Sequence, residues 1–126
     1  MRFTRLCAAL LCALVLVLST VAASSAQSAA KPHRVFTSAK IVKLPNGSLS
    51  FRAHIAHYPN GFVGLMKKTC ATCTWNRVAL RRTTAFGRIM MPVGAPPQGR
   101  WYWRYRTPES PAFAVTYSST WYTFRQ

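Results

Sequence analysis

Apolar and polar positions alternate in short runs along most of the chain, which is typical of β-strands with one buried face. The alternation is cleanest over 48–56, where four apolar residues from Leu49 to Ile55 alternate with polar ones. Apolar residues do not recur at spacings of three and four after residue 30, so no helix is predicted there. Clusters of Gly, Pro and Asn separate the runs. The pattern predicts seven strands, at 35–44, 48–56, 62–68, 76–82, 86–91, 100–106 and 117–125.

Short strands at nearly regular spacing, with no helix-length segment between them, predict one all-β domain. The fold class that fits is a single antiparallel β-sandwich of about seven strands. In the fourth predicted strand we expect Val78 and Leu80 to point inward. The segment 31–37 precedes the regular pattern, and we expect it to be a disordered lead-in.

The sixth predicted strand combines aromatic rings with arginines. One interpretation is a platform of rings and charges that binds single-stranded nucleic acid or a glycan. The strict alternation favours a core strand instead, with Trp101, Trp103 and Tyr105 facing inward. Tyr102 is then the aromatic residue of this run that remains on the outer face.

Residues 1–30 have the order of a secretory signal peptide. Arg2 and Arg5 precede the uncharged apolar run 6–18, and small residues follow it. The alternative is an uncleaved membrane anchor, but this run is shorter than the roughly 20 residues that a span needs. We therefore expect a cleaved signal and a secreted, extracellular product, with cleavage after residue 23, 26 or 30 left open.

Cleavage after residue 30 leaves 96 residues, which is enough for one small core. Cys7 and Cys12 fall within the signal, so we expect neither in the mature fold. The mature chain then consists of a lead-in and first strand at 31–47 and a β-sandwich domain at 48–126. We expect the first strand, 35–44, to pack with that domain.

The charge balance excludes most catalytic chemistry. The chain has 17 Lys and Arg residues but a single acidic residue, Glu109, which gives a formal net charge of +16. Glycoside hydrolysis needs two facing carboxylates, and calcium or magnesium cages need several. A Ser-His-Asp triad has no Asp to use. We therefore predict a protein without enzymatic activity, without a cofactor and without a metal.

Cys70 and Cys73 form the most specific local motif. In an exported chain, two mature cysteines favour one structural disulfide. The alternatives are a redox pair, which needs a helix N-terminus, and a zinc site, which needs two more ligands. His54 and His57 could supply those ligands only if their hairpin folds back onto the cysteine loop. They would also need a bulge, because residues three apart on a strand point to opposite faces. We interpret both histidines as ordinary surface or turn residues.

Residues 63–68 with Trp75 and 78–79 match the hairpin pattern V-x-L-Q-R-R … W-x-x-V-A. In this hairpin and in two further segments the chain resembles the secreted immunoglobulin-like β-sandwich modules of actinobacteria. Residues 83–89 match their T-D-A-x-G-R-F turn and strand, although Thr84 or Ala85 replaces the usual Asp and leaves no acidic cap. The segments 101–106 and 117–119 match their Y-R-Y-R-V-R and closing strands.

The resemblance implies an immunoglobulin-like fold and an accessory role. Members of that family serve mostly as spacer, adhesion or binding modules, are largely uncharacterised, and share no catalytic residues. The cysteine pair in the hairpin loop is a departure from the family pattern.

Basic side chains recur on nearly every predicted strand, and almost no acid balances them. A surface that carries only positive charge attracts polyanions. Solubility and protection of strand edges explain the excess of basic side chains equally well. We expect anionic cell-wall polymers or glycans as partners, nucleic acid only through non-specific charge, and a monomeric protein; contact with membranes stays open. The candidate polyanion-binding residues are Lys67, Lys68, Arg77, Arg81, Arg82, Arg88, Arg104 and Arg106, with Tyr102 as an exposed aromatic contact.

These features together predict a secreted, non-enzymatic, cationic β-sandwich protein. Its role would be that of an extracellular or cell-wall-associated binding or structural module with affinity for polyanions. The alternative is a secreted cationic antimicrobial or toxin-like protein that acts on anionic membranes. That alternative ranks lower because the chain shows no amphipathic helix, the usual membrane-active element.

Overall fold

The computed structural model describes residues 30–126, and in that range the protein is all-β with no helix. The predicted signal peptide, with Cys7 and Cys12, lies outside the described residues apart from Ala30. The described part contains no helix long and apolar enough to cross a membrane. Its eight strands are β1 (Phe36–Lys43), β2 (Leu49–Ile55), β3 (Phe62–Lys68), β4 (Asn76–Arg82), β5 (Arg88–Val93), β6 (Trp101–Thr107), β7 (Thr116–Tyr117) and β8 (Trp121–Thr123).

The strands form two antiparallel sheets in a sandwich-like arrangement. The three-stranded sheet has the order β1-β2-β5, and the five-stranded sheet has the order β4-β3-β6, with β7 and β8 both pairing with β6. Antiparallel neighbours in register share a face, so each sheet has one inner and one outer set of side chains.

The core lies between the inner faces of the two sheets. The rings and branched side chains that alternate on the central strands supply it, as the sequence pattern predicts for 48–56 and 100–106. Trp103 donates its indole N–H to Thr123 Oγ1 at 2.9 Å, so its one polar group is satisfied inside the core. The buried apolar residues are Phe51, Ala53, Ile55, Val63, Leu65, Ile89, Met91, Val93, Trp103 and Tyr105.

Strand β4 differs from the prediction, because Val78 and Leu80 do not point into the core. Their exposed fractions are 52% and 48%, and Ala79 packs against the core instead. The pairing shifts between Leu65 and Met66, so that Leu65 pairs with Ala79 and Met66 with Arg77. This bulge leaves Val78 without a partner and reverses the phase of the alternation. The inward placement of Val78 and Leu80 was therefore wrong.

The last predicted strand, 117–125, is two short strands. Between β7 and β8 the chain leaves the ladder, and Ser118 Oγ accepts the N–H of Tyr105 at 2.8 Å. The Ser118 N–H donates to the carbonyl oxygen of Tyr105 at 3.0 Å. A side-chain oxygen here takes the place of a backbone acceptor, so the pairing is interrupted without leaving the N–H of Tyr105 unsatisfied. This break raises the number of strands from the predicted seven to eight.

Strand β5 begins and ends two residues later than predicted, and it includes Pro92. A proline removes one ladder donor and is tolerated at a sheet edge, where β5 lies. The turn before it contains Gly87 with φ of 76°. Thr84 Oγ1 accepts the N–H groups of Phe86 at 3.3 Å and Arg88 at 3.2 Å. The Thr84 hydroxyl therefore stabilises this turn.

The lead-in segment is ordered, contrary to the prediction for 31–37. Its His33 forms an isolated parallel bridge with Ala114. The guanidinium of Arg34 lies between two rings, 4.2 Å from the centroid of Tyr58 and 4.4 Å from that of Phe113. Stacking on both faces of the guanidinium ties this segment to the loop before β7. A short polar segment has no alternation from which the sequence could predict this docking.

Candidate functional site

The outer face of the five-stranded sheet brings together cations and aromatic rings from five strands and one loop. Cross-strand pairing places these side chains in rows across the sheet. In one row Lys68 pairs with Tyr102, and Tyr102 pairs with Tyr122. In the next rows Met66 pairs with both Arg77 and Arg104, and Gly64 pairs with Arg106. We call this surface the cation–aromatic face, and its members are Lys68, Trp75, Arg77, Tyr102, Arg104, Arg106, Tyr117 and Tyr122.

Arg104 lies at the centre of the cation–aromatic face. Its guanidinium carbon is 4.3 Å from the centroid of Trp75 and 3.8 Å from that of Tyr117. Two rings therefore hold the flat cation in one orientation, while the N–H donors of a guanidinium lie in its plane. The Nε of Arg104 is buried and has no hydrogen-bond partner within residues 30–126.

Lys68 is fixed next to Arg104 by the loop that the two cysteines close. Its Nζ donates to the carbonyl oxygen of Ala71 at 2.9 Å. The same atom is 4.9 Å from the Trp75 centroid and 5.2 Å from the Tyr102 centroid. Trp75 thus contacts the cations of both Lys68 and Arg104, and it sets the distance between them.

Gly64 makes room for another cation on this face. A Cβ at Gly64 would lie 3.2 Å from Cδ of Arg77, so the absence of a side chain lets the stem of Arg77 cross β3. Gly64 also pairs with Arg106 on the other side. The glycine therefore brings Arg77 towards Arg106 across a strand that would otherwise separate them.

Aromatic rings continue the face towards the C-terminal end of the chain. The ring centroids of Tyr102 and Tyr122 are 6.4 Å apart, and those of Tyr122 and Phe124 are 6.0 Å apart. The guanidinium of Arg100 lies 4.4 Å from the Tyr122 centroid. Tyr122 and Phe124 are each 47% exposed, so a ligand can reach their ring faces.

The predicted polyanion-binding residues do not all share one surface. Lys68, Arg77, Arg104 and Arg106 lie on the cation–aromatic face together with Tyr102. Arg82 belongs to the same side of the sheet but lies at its far end, where its guanidinium is 4.3 Å from the Phe62 centroid.

Three of the predicted cations lie elsewhere. Lys67 is on the inner side at the sandwich margin, where its Nζ is 3.3 Å from the Trp101 centroid. Arg81 is in register with the buried Val63 and donates from Nη1 to the Met90 carbonyl oxygen at 3.4 Å. Arg88 is on the three-stranded sheet.

Sequence reasoning missed three members of the face as binding residues, Trp75, Tyr117 and Tyr122. It also missed the adjoining Arg100 and Phe124. Tyr117 and Tyr122 alternate with the buried Thr116 and Thr123, which is a signal that they face outward. Trp75 precedes β4 and belongs to no alternating run, so only the folded hairpin reveals its contacts.

Cys70 and Cys73 form a disulfide, as the sequence predicts. It lies in the turn between β3 and β4, where the Cys73 N–H donates to the Cys70 carbonyl oxygen at 3.2 Å. No helix N-terminus adjoins the pair in the described part of the chain. Within residues 30–126 no three His, Cys, Asp or Glu side chains come together as a metal site.

The two histidines weighed as ligands have different surroundings. His54 Nε2 donates to the Phe86 carbonyl oxygen at 2.8 Å, and the Thr37 hydroxyl bonds its Nδ1. Both ring nitrogens of His54 are therefore occupied. His57 lies beyond the end of β2 in a left-handed turn, with φ of 54°, and is exposed.

The single acidic residue of the chain lies away from the cation–aromatic face. Lys31 donates from Nζ to Glu109 Oε1 at 2.7 Å. This hydrogen bond and the charge of Lys31 lower the pKa of the Glu109 carboxyl. The acidic side chain is thus paired within the lead-in contact, and the cation–aromatic face contains no carboxylate side chain.

No protein family, no curated protein and no solved structure matches this chain.

Proposed function

We propose that this protein is a secreted, non-enzymatic immunoglobulin-like module that binds extracellular polyanions, such as anionic cell-wall polymers or acidic glycans, through the cation–aromatic face. Its function would be to attach to, or organise, the outer surface of the producing cell. The immunoglobulin-like assignment and the secretion rest on the sequence motifs and on the signal-peptide pattern of residues 1–30.

The observation that carries the proposal is the ordering of cations by rings on a surface without acids. A charge that only keeps a protein soluble has no need of a fixed orientation. Arg104 between Trp75 and Tyr117, and Lys68 above Trp75 and Tyr102, are both held in place before any ligand arrives. Fixed donors lose less conformational entropy when they bind, which raises affinity for the same number of contacts.

A polymer fits this face better than a small anion does. The cations belong to β3, β4 and β6, so no single anionic group contacts them all. A chain with a negative charge in every repeat unit can neutralise several of them at once and release its counterions. The exposed rings of Tyr122 and Phe124 add a surface on which sugar or polyol units can pack.

The test measures binding of the purified full-length expression product to immobilised poly(glycerol phosphate), with neutral dextran as the reference polymer. The affinity should fall steeply as salt rises, because several ion contacts are lost together. The face is probed with Arg77→Gln/Arg106→Gln. The matched control is Lys43→Gln/Arg125→Gln, which removes the same charge from a cleft that Lys43 and Arg125 line with residues of β2 and β5.

The face variant should lose about tenfold more affinity than the control, a difference of about 1.4 kcal/mol. Equal losses in the two variants would mean that overall charge, not this face, binds the polymer. Leakage of anionic vesicles at low protein concentration would support the membrane-disrupting alternative instead. Absence of binding at low salt would leave a scaffold role only.

A further inference from the structure

The outer face of the three-stranded sheet has a basic cluster of its own. Lys40 on β1 is directly opposite Arg52 on β2 in the antiparallel register. Arg88 on β5 pairs with His54, two residues further along β2, so it lies on the same face. All three cations are exposed. We call them the Lys40–Arg52–Arg88 cluster.

This arrangement is unfavourable for the folded protein by itself. Like charges directly opposite one another on a sheet repel and reduce stability. The single acidic side chain of the sequence, Glu109, is paired with Lys31 and does not compensate for them. In the described part of the chain no aromatic ring stacks on any of the three, in contrast to the cations of the other face.

The cluster surrounds a shallow depression rather than a flat surface. Besides the three cations, Ser38 and Thr84 line it, together with the apolar residues Ala53, Ile89 and Met90. His54 forms part of the wall, and its contacts with Phe86 and Thr37 hold the ring in place. The backbone of Arg88 is fixed as well, because its N–H donates to Thr84 Oγ1 and its carbonyl oxygen accepts the Thr84 N–H at 2.8 Å.

We propose that the Lys40–Arg52–Arg88 cluster is a second anion site, which binds a phosphate group of a polyanion, and that the protein thereby links two polyanion chains. Three cations on one face can each donate charge-assisted hydrogen bonds to the oxygen atoms of a phosphate group. Because no aromatic ring stacks on these cations, we expect the cluster to contact the phosphate group and not the sugar or polyol units of the polymer. On the cation–aromatic face, by contrast, rings also contact the polymer.

Two binding faces on opposite sides make the module bivalent. The two sheets pack through their inner faces, so the outer faces that bear Arg104 and Arg52 point away from each other. A polymer strand lying on one face does not reach the other without wrapping around the sandwich. This inference rests on the proposed function, because the first strand must be held by the cation–aromatic face.

The experiment is a bridging assay with the full-length expression product and poly(glycerol phosphate). The polymer is immobilised, protein is captured on it at low density, and fluorescent poly(glycerol phosphate) is then added. The wild type should retain the second polymer in proportion to the amount of captured protein. Arg52→Gln/Arg88→Gln should be captured to within about twofold of the wild type but should retain at least about tenfold less second polymer.

Lys43→Gln/Arg125→Gln serves as the control of equal charge, and it should bridge like the wild type. The single variant Arg52→Gln, which removes the directly opposed like charge, is measured in parallel if the double variant fails to fold. It should reduce bridging in the same direction, with a melting temperature at low salt no lower than that of the wild type.

The outcomes separate the two proposals. Failure of the wild type to bind the first polymer would overturn the proposed function. Capture without retention of the second polymer, or equal bridging by the cluster variant, would overturn only the bivalent arrangement. If the retained amount of second polymer rises with the square of the captured protein density, then two protein molecules together bind it. That result would also overturn the bivalent arrangement.

Discussion

Tyr105 and Phe51 join the two sheets by two contacts at the centre of the core. Their rings stack with centroids 4.4 Å apart and an interplanar angle of 14°. The Tyr105 hydroxyl also donates to the Phe51 carbonyl oxygen at 2.6 Å. Tyr105 lies on β6 and Phe51 on β2, so one side chain connects the sheet that bears the cation–aromatic face with the sheet that bears the Lys40–Arg52–Arg88 cluster.

Burial of Tyr105 makes the stability of the fold sensitive to alkaline pH. Loss of water around the hydroxyl raises the pKa of Tyr105 in the folded protein above its ordinary value. The unfolded chain then ionises first, so the contribution of Tyr105 is complete below about pH 10 and is lost as pH rises through the folded pKa. We expect the free energy of unfolding to fall above pH 10, by up to about 1.4 kcal/mol per pH unit from this residue.

The matched variant is Tyr105→Phe, which keeps the ring and removes the ionising group. At pH 7 it should lower the free energy of unfolding by about 1–2 kcal/mol, because a buried hydrogen bond is lost. Above pH 10 its stability should decline less steeply than that of the wild type. Urea titrations between pH 7 and 11 measure both effects, and parallel curves for the two proteins would contradict the role given to Tyr105.

Acid should affect this fold much less than it affects ordinary proteins. Acid unfolding arises mainly from carboxylates whose pKa is lowered in the folded state, and this chain has one acidic side chain. Lys31 lowers the pKa of Glu109, so that pair stabilises above the unfolded pKa and is lost as pH falls through the folded pKa. Glu109 is exposed, so its contribution is small.

We therefore expect nearly equal urea midpoints at pH 5 and pH 2.5. Glu109→Gln is the control, and it should remove the small remaining difference. A large drop in the midpoint of both proteins at pH 2.5 would contradict this expectation.

The sequence predicted the central strands well and the edges poorly. Alternation placed Phe51 and Tyr105 inside correctly because β2 and β6 each have neighbours on both sides and follow the period of two throughout. The same rule failed at Val78, because a bulge on an edge strand changes the phase and leaves no trace in composition. Edge strands also bury less apolar surface, so their apolar pattern gives less information about which side chains point inward.

The candidate site was only partly predictable for a similar reason. The outward direction of Tyr102 and Arg104 follows from alternation on one strand. The stacking of Arg104 between Trp75 and Tyr117 depends on the register of β6 with β3 and β7 and on the path of the hairpin loop. Such contacts join distant parts of the chain, and no local pattern encodes them.

The disulfide between Cys70 and Cys73 should contribute modestly to stability. It closes a loop with a sequence separation of only 3, for which loss of chain entropy in the unfolded state gives about 2 kcal/mol. Cys70→Ser/Cys73→Ser should therefore unfold at lower urea concentration but remain folded at 25 °C. Wild type treated with a phosphine reductant should show the same shift. Complete unfolding after reduction would mean that the hairpin loop determines the fold, contrary to the small loop size.

Trp75 provides a test of whether ordered cations, and not charge alone, bind polyanions. Its ring contacts the cations of both Lys68 and Arg104, and its removal leaves the net charge of the protein unchanged. Each cation–ring contact at a partly exposed site is worth about 0.5–1 kcal/mol. Trp75→Ala should thus weaken binding to poly(glycerol phosphate) by about fivefold or more, because both cations become free to move.

Trp121→Ala is the matched control for Trp75→Ala. Trp121 pairs in register with the buried Trp103, and neither Lys68 nor Arg104 stacks on its ring. The control should keep the wild-type affinity and the wild-type salt dependence. If the two tryptophan variants bind equally well, then the rings do not order the cations for binding, and the polymer recognises the net positive charge of the protein as a whole.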